Sequence, residues 1–101
     1  MNFSLQRDGD ALVLRIEGEL DALSAPQIRP VIEEVLAGAP KRVTVDLSAL
    51  RLVDSSGVGA IVSLFKRQRA AGGEFGITGL AGQPLAVFRV LRLDRALSTS
   101  A

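Results

Sequence analysis

The residues Val53-Asp54-Ser55-Ser56-Gly57-Val58-Gly59 set two hydroxyls beside one carboxylate, directly ahead of the apolar run Ala60-Ile61-Val62-Ser63-Leu64-Phe65. A strand-like segment ends there and a helix begins. Such a junction gathers unpaired backbone N–H groups and the positive end of a helix dipole, so it welcomes an anion. Two chemistries suit a serine in that place. Ser55 or Ser56 can cap the helix while Asp54 complements its dipole. Alternatively, one hydroxyl accepts a phosphate, at a turn where Gly57 and Gly59 leave the backbone uncrowded for an approaching partner. A phosphate adds about −1.5 to −2 charges next to Asp54. That changes binding and leaves intact a helix start that tolerates anions.

Little else in the chain suits catalysis. It has no His, which removes the usual base for a serine nucleophile and the commonest zinc ligand. It has no Cys, which removes disulfides and thiolate metal sites. A hydrolase built on Ser55 with a carboxylate would lack both the His and a GxSxG spelling. There is no Walker A motif, and Gly57-Val58-Gly59-Ala60-Ile61-Val62 fails GxGxxG at its last position. The chain therefore reads as a substrate and ligand, not an enzyme, with no cofactor and no metal site of its own. Asp8-Gly9-Asp10 lacks the further oxygens of a calcium loop and is explained as a turn. A net charge of +1 and only four aromatic residues argue against direct nucleic-acid binding. Lys66, Arg67, Gln68 and Arg69 read as a solvated helix face. Arg89, Arg92 and Arg95 read as one side of a C-terminal helix. No apolar run approaches the roughly 20 residues of a membrane span, and no leader core is visible, so a cytoplasmic protein without membrane insertion is expected.

The surrounding pattern specifies the frame. Apolar residues make up 48% of the chain, too many for a disordered segment, and 101 residues suit one domain, 1–101. Phe3 and Leu5 alternate with polar neighbours. Asp8-Gly9 then signals a hairpin into Leu12–Gly18, where Leu12, Leu14 and Ile16 share a face. Glu19-Leu20-Asp21 is a strand exit. Ser24 with Gln27 spells a capping box around Pro26, followed by the stripe Ile28, Val31, Ile32, Val35, Leu36. Arg42–Leu47 is a β-branched strand, and Leu50–Val53 leads to the junction. A helix from about Ser56 to Ala71 has the core stripe Val58, Ile61, Val62, Phe65 and stops at Gly72-Gly73. Glu74–Thr78 is the last strand. Pro84 opens a helix in which Leu85, Phe88 and Leu91 share a face, and Leu93–Ala101 forms a short terminal helix that frays. The order β-β-α-β-α-β-α predicts an α/β domain with a mixed, mostly parallel sheet of about four to five strands.

Together these segments resemble a STAS domain, most of all the bacterial anti-sigma factor antagonists. The resemblance rests on Glu19-Leu20-Asp21, Val45-Asp46-Leu47-Ser48 and above all Val53–Gly59, with Gly72-Gly73 and Leu91-Arg92-Leu93-Asp94 weaker. It implies that Ser55 is the phosphoacceptor, with Ser56 the alternative. It makes Asp21 the acidic residue that supports phosphorylation and partner binding. Asp21, Asp54, Ser55, Ser56, Gly57 and Val58 become the partner-binding set. The implied mechanism is partner switching by a protein that is monomeric when free. The unphosphorylated form binds an anti-sigma factor that is also a serine kinase, and a metal-dependent serine phosphatase reverses the phosphorylation. The alternatives are a constitutive STAS subunit of an ABC-type lipid-trafficking transporter and the same switch with a non-sigma output.

Overall fold

The computed structural model describes residues 1–97. Strands β1 (Asn2–Asp8) and β2 (Ala11–Leu20) pair antiparallel across a two-residue turn. Gly9 takes the first turn position at φ +61, the left-handed conformation that this kind of hairpin gives to glycine.

β2 is the hub of a five-stranded sheet. Its first half pairs in parallel with β3 (Arg42–Asp46), which in turn pairs in parallel with β5 (Glu74–Thr78). Its last residues pair in parallel with β4 (Leu50–Val53), after a register shift between Gly18 and Glu19. Gly18 sits there at φ +96, and its N–H leaves the ladder for the Ala49 carbonyl at 3.0 Å. One strand thereby serves two successive neighbours on the same side.

The period-two pattern fixes the buried face. Leu12, Leu14 and Ile16 of β2 meet Val43 and Val45 of β3 and Phe75 and Ile77 of β5. Helices α1 (Ala25–Ala37), α2 (Ser55–Ala70), α3 (Gly82–Val90) and α4 (Asp94–Leu97) complete one continuous core with Ile28, Ile32, Val35, Ile61, Leu64, Phe88 and Leu97.

The expected order gains two short elements. Leu50–Val53 is a strand, and a brief α4 stands within the expected terminal helix. The expected fraying beyond it falls on 98–101, outside the described residues. The stripe of α2 is also rotated from the expected one. Val58, Ile61 and Leu64 are buried, whereas Val62 and Phe65 are half-buried. Phe65 packs edge-on against Phe75, with centroids 5.4 Å apart.

The same spacing turns Gln68 inward, so it does not belong to the solvated face. It is 1% exposed, and its amide donates to the carbonyls of Pro40 at 2.9 Å and Glu74 at 3.3 Å. Gly73 makes room for it, because a Cβ there would lie 2.1 Å from the Gln68 amide nitrogen. Leu91 does not join the buried face of α3 either. It ends the helix and stays half-exposed, while Pro84 and Phe88 are buried. Arg89, Arg92 and Arg95 do not line one helix, since Arg92 sits in the turn between α3 and α4 at φ +58.

Candidate functional site

β4 carries the chain to the junction and α3 fixes its last residue. The side chain of Gln83 accepts from the Val53 N–H and donates to the Val53 carbonyl, both at 2.9 Å. Asp54 follows in extended backbone and takes the N-cap of α2, its Oδ1 accepting the Gly57 N–H at 3.1 Å. The carboxylate is therefore the cap, and neither serine is. Asp satisfies the N3 donor as well as Ser does and adds a full charge at the dipole's positive end. Ser55 and Ser56 occupy the first two helical positions. Both are exposed, and neither hydroxyl hydrogen-bonds to a described residue.

The β2–α1 loop is built from Asp21 and Ser24. The expected capping box of Ser24 and Gln27 does not form. Ser24 has helical dihedrals, φ −95 and ψ −22, and its hydroxyl turns back into the loop. That hydroxyl accepts the Asp21 N–H at 2.9 Å and lies within donating reach of the Glu19 carbonyl at 3.0 Å and Asp21 Oδ1 at 3.1 Å. Asp21 Oδ1 also accepts the N–H groups of Leu23 and Ser24, each at 3.0 Å. The Ser24 amide and hydroxyl, with the Leu23 amide, hold the Asp21 carboxyl below its ordinary value of 3.8. The loop thus has an ionised carboxylate at its centre.

Asp54 joins the two loops. Its Oδ2 accepts the Ala22 N–H at 3.1 Å, and its own N–H donates to the Leu20 carbonyl at 3.2 Å. Asp21, Asp54, Ser55 and Ser56 are therefore supported by one frame. Gly57 and Val58, expected as partner contacts, instead face the interior. A Cβ on Gly57 would lie 2.4 Å from the Leu20 carbonyl oxygen, and Val58 is 4% exposed. They set the height of the first turn of α2 from beneath.

Two contributors have no counterpart in the expected set. Leu23 is 89% exposed at the tip of the Asp21 loop. An apolar residue inside the turn Asp21-Ala22-Leu23-Ser24 was the signal that could have found it. Gln83 left no local signal, because its role lies in a contact with a residue 30 positions away. Between α1 and α2 runs a groove of about 510 Å³, bordered by Ala22, Ser56, Gly59 and Arg29. Arg67 and Glu33 close it with an ion pair, which holds Glu33 below and Arg67 above their ordinary values.

The arrangement offers two exposed hydroxyls at a helix start that tolerates an anion, and among the described residues neither hydroxyl has a hydrogen-bond partner. A family model described as "Mlab, STAS domain" matches residues 3–99. The anti-sigma-B factor antagonist of Listeria monocytogenes is 31% identical over 99 residues, covering 93% of this chain and 85% of that protein. The Bacillus cell fate determinant SpoIIAA in its phosphorylated form has a TM-score of 0.75 at 25% identity, over 99% of this chain and 92% of that one. An anti-sigma factor antagonist from Mycobacterium paratuberculosis shares the fold with a TM-score of 0.85 at 21% identity, over 95% and 81% of the two chains.

Proposed function

This chain belongs to the STAS domain family, and from that premise we propose that it is an anti-sigma factor antagonist switched by phosphorylation of Ser55. The observation that carries the reading is the Ser55 hydroxyl itself. It stands exposed and unbonded at the first position of α2, next to a cap that leaves it free. The likeness to relatives described as anti-sigma-B factor antagonists, and to a relative solved in phosphorylated form, supports it.

In this reading the unphosphorylated protein binds an anti-sigma factor with serine kinase activity. Asp21, Leu23, Asp54, Ser55 and Ser56 form the contact surface, while Gly57 and Val58 hold it in place. The kinase supplies ATP, Mg²⁺ and the base, none of which this chain provides. Phosphate on Ser55 brings about two negative charges next to Asp54 in a surface about to be desolvated, and the complex separates. The helix start tolerates the anion, so the domain stays folded. A metal-dependent serine phosphatase resets the switch.

The test is affinity purification from the native host with wild type and Ser55→Asp in parallel, followed by incubation of the recovered complex with labelled ATP. The expected outcome is a small ATP-binding kinase retained by wild type alone, label on the Ser55 peptide, and none on Ser55→Ala. Label on the Ser56 peptide would move the switch by one residue. Retention of one membrane ATPase subunit by both proteins, with no label, would replace this reading with that of a transporter subunit.

A further inference from the structure

Gln83 is exposed on α3, so burial in the core does not account for it. Both of its polar atoms are spent on one residue. Its Oε1 accepts the Val53 N–H and its Nε2 donates to the Val53 carbonyl, each at 2.9 Å. Among the described strands β4 pairs with β2 alone. Val53 ends β4 and is 3% exposed, so its outward N–H and carbonyl need a partner from elsewhere in the chain. The Gln83 amide stands in for the missing neighbouring strand. α3 gives it a firm base, since Pro84 and Phe88 further along the helix are buried.

The Val53 carbonyl and the Asp54 N–H belong to one peptide plane. Gln83 holds the oxygen of that plane, and the Leu20 carbonyl holds its N–H at 3.2 Å. The plane is thus held from both sides, by α3 and by β2. It sets the direction in which Asp54 leaves the strand, at φ −113 and ψ −173. Ser55 is the next residue. The Asp54 carboxylate ties the same point forward to Gly57 and across to Ala22, and leaves the plane behind it to Gln83 and Leu20.

We propose that Gln83 is a positioning residue for phosphoryl transfer to Ser55, because it fixes the Val53–Asp54 peptide plane from α3 and so fixes the line on which the Ser55 hydroxyl meets the phosphoryl group. This rests on the switch reading above and adds to it a residue that acts through Val53. In-line transfer to a hydroxyl depends almost wholly on positioning, so a small tilt of that plane is felt in the rate.

The test uses the full chain, labelled ATP and the kinase recovered on wild type. Gln83→Met keeps the length of the side chain and removes both bonds. The kcat for labelling at Ser55 is expected to fall about ten- to a hundredfold, as a displacement of about 1 Å produces. The KM, and the Kd measured with a non-hydrolysable ATP analogue, are expected to stay within about twofold, because the contact surface is intact. The Val53 N–H should exchange with solvent faster in this variant. Gln68→Ala, at the far end of α2, serves as a destabilised control and should label at the wild-type rate. Gln83→Met that labels as fast as wild type overturns the inference and leaves the switch standing. A raised KM with unchanged kcat also overturns it, since Gln83 would then be a docking contact. An equal loss of kcat in Gln68→Ala overturns it too, since the effect would be one of stability. Wild type that takes no label at Ser55 sinks the switch reading itself, and the inference with it.

Discussion

The Asp54 carboxylate serves two loops that are 32 residues apart, capping α2 through the Gly57 N–H and holding the Ala22 N–H of the facing loop. Its truncation removes both bonds. Asp54→Ala is expected to lower stability by about 1–2 kcal/mol in urea denaturation, at the upper end for a lost cap, while Asp54→Asn keeps most of it. Equal midpoints for Asp54→Ala and wild type would refute the clamp. Ser55 lies one residue further on and makes no bond, so Ser55→Asp should not lower Tm, and an anion at the first helical position should hold or raise it. Asp21 gives a pH prediction. Its folded-state pKa is lowered, so its contribution to stability is complete above the ordinary carboxylate value of 3.8 and drains away as pH falls through the folded value. The Asp21 carboxyl followed by NMR should titrate below 3.8, and Ser24→Ala should move it part of the way back up. A midpoint at or above 3.8 in wild type would refute the turn described for Asp21. At this scale the sequence exposed the polar residues but not their partners. Ser24 spelled a cap and became a loop brace, because the chain could bond Asp21 and Glu19 only after β2 had ended where it does.

At the scale of elements, α2 is placed by two contacts of opposite kind. Its N-terminal turn presses Gly57 against the Leu20 carbonyl, and its C-terminal turn buries the Gln68 amide against Pro40 and Glu74. Gly57→Ala would place a Cβ 2.4 Å from the Leu20 carbonyl oxygen, and should cost about 1–3 kcal/mol, the range for overpacking a filled site. Gln68→Ala leaves the buried Pro40 carbonyl without its donor and should cost about 1–3 kcal/mol in the same assay. A neutral Gln68→Ala would show that the amide is not what anchors the end of the helix. Periodicity located α2 and its boundaries to within a residue. It did not settle the rotation, because Val62, Leu64 and Phe65 are all apolar and only the packed neighbours decide which of them faces inward. A polar Gln at an inward position is invisible to a pattern that counts apolar residues.

For the molecule as a whole, β2 carries three neighbours and its side chains sit at the centre of the core. Leu14 is fully buried there, and Leu14→Ala should cost about 2–5 kcal/mol with one cooperative unfolding transition. A separate, earlier transition for the α2 region would contradict a single core. The sequence by itself determined the α/β class, the hairpin, the main strands and helices, and the junction where Ser55 and Ser56 meet the start of a helix. These follow from local rules: period two, period 3.6, Gly and Pro punctuation, and the appetite of helix N-termini for anions. Only the tertiary structure decided that Asp54 rather than a serine is the cap, that Gly57 and Val58 look inward, that Leu23 stands out at the loop tip, and that Gly59 borders an open groove. Each depends on the approach of segments far apart in the chain, and local spacing carries no term for that distance.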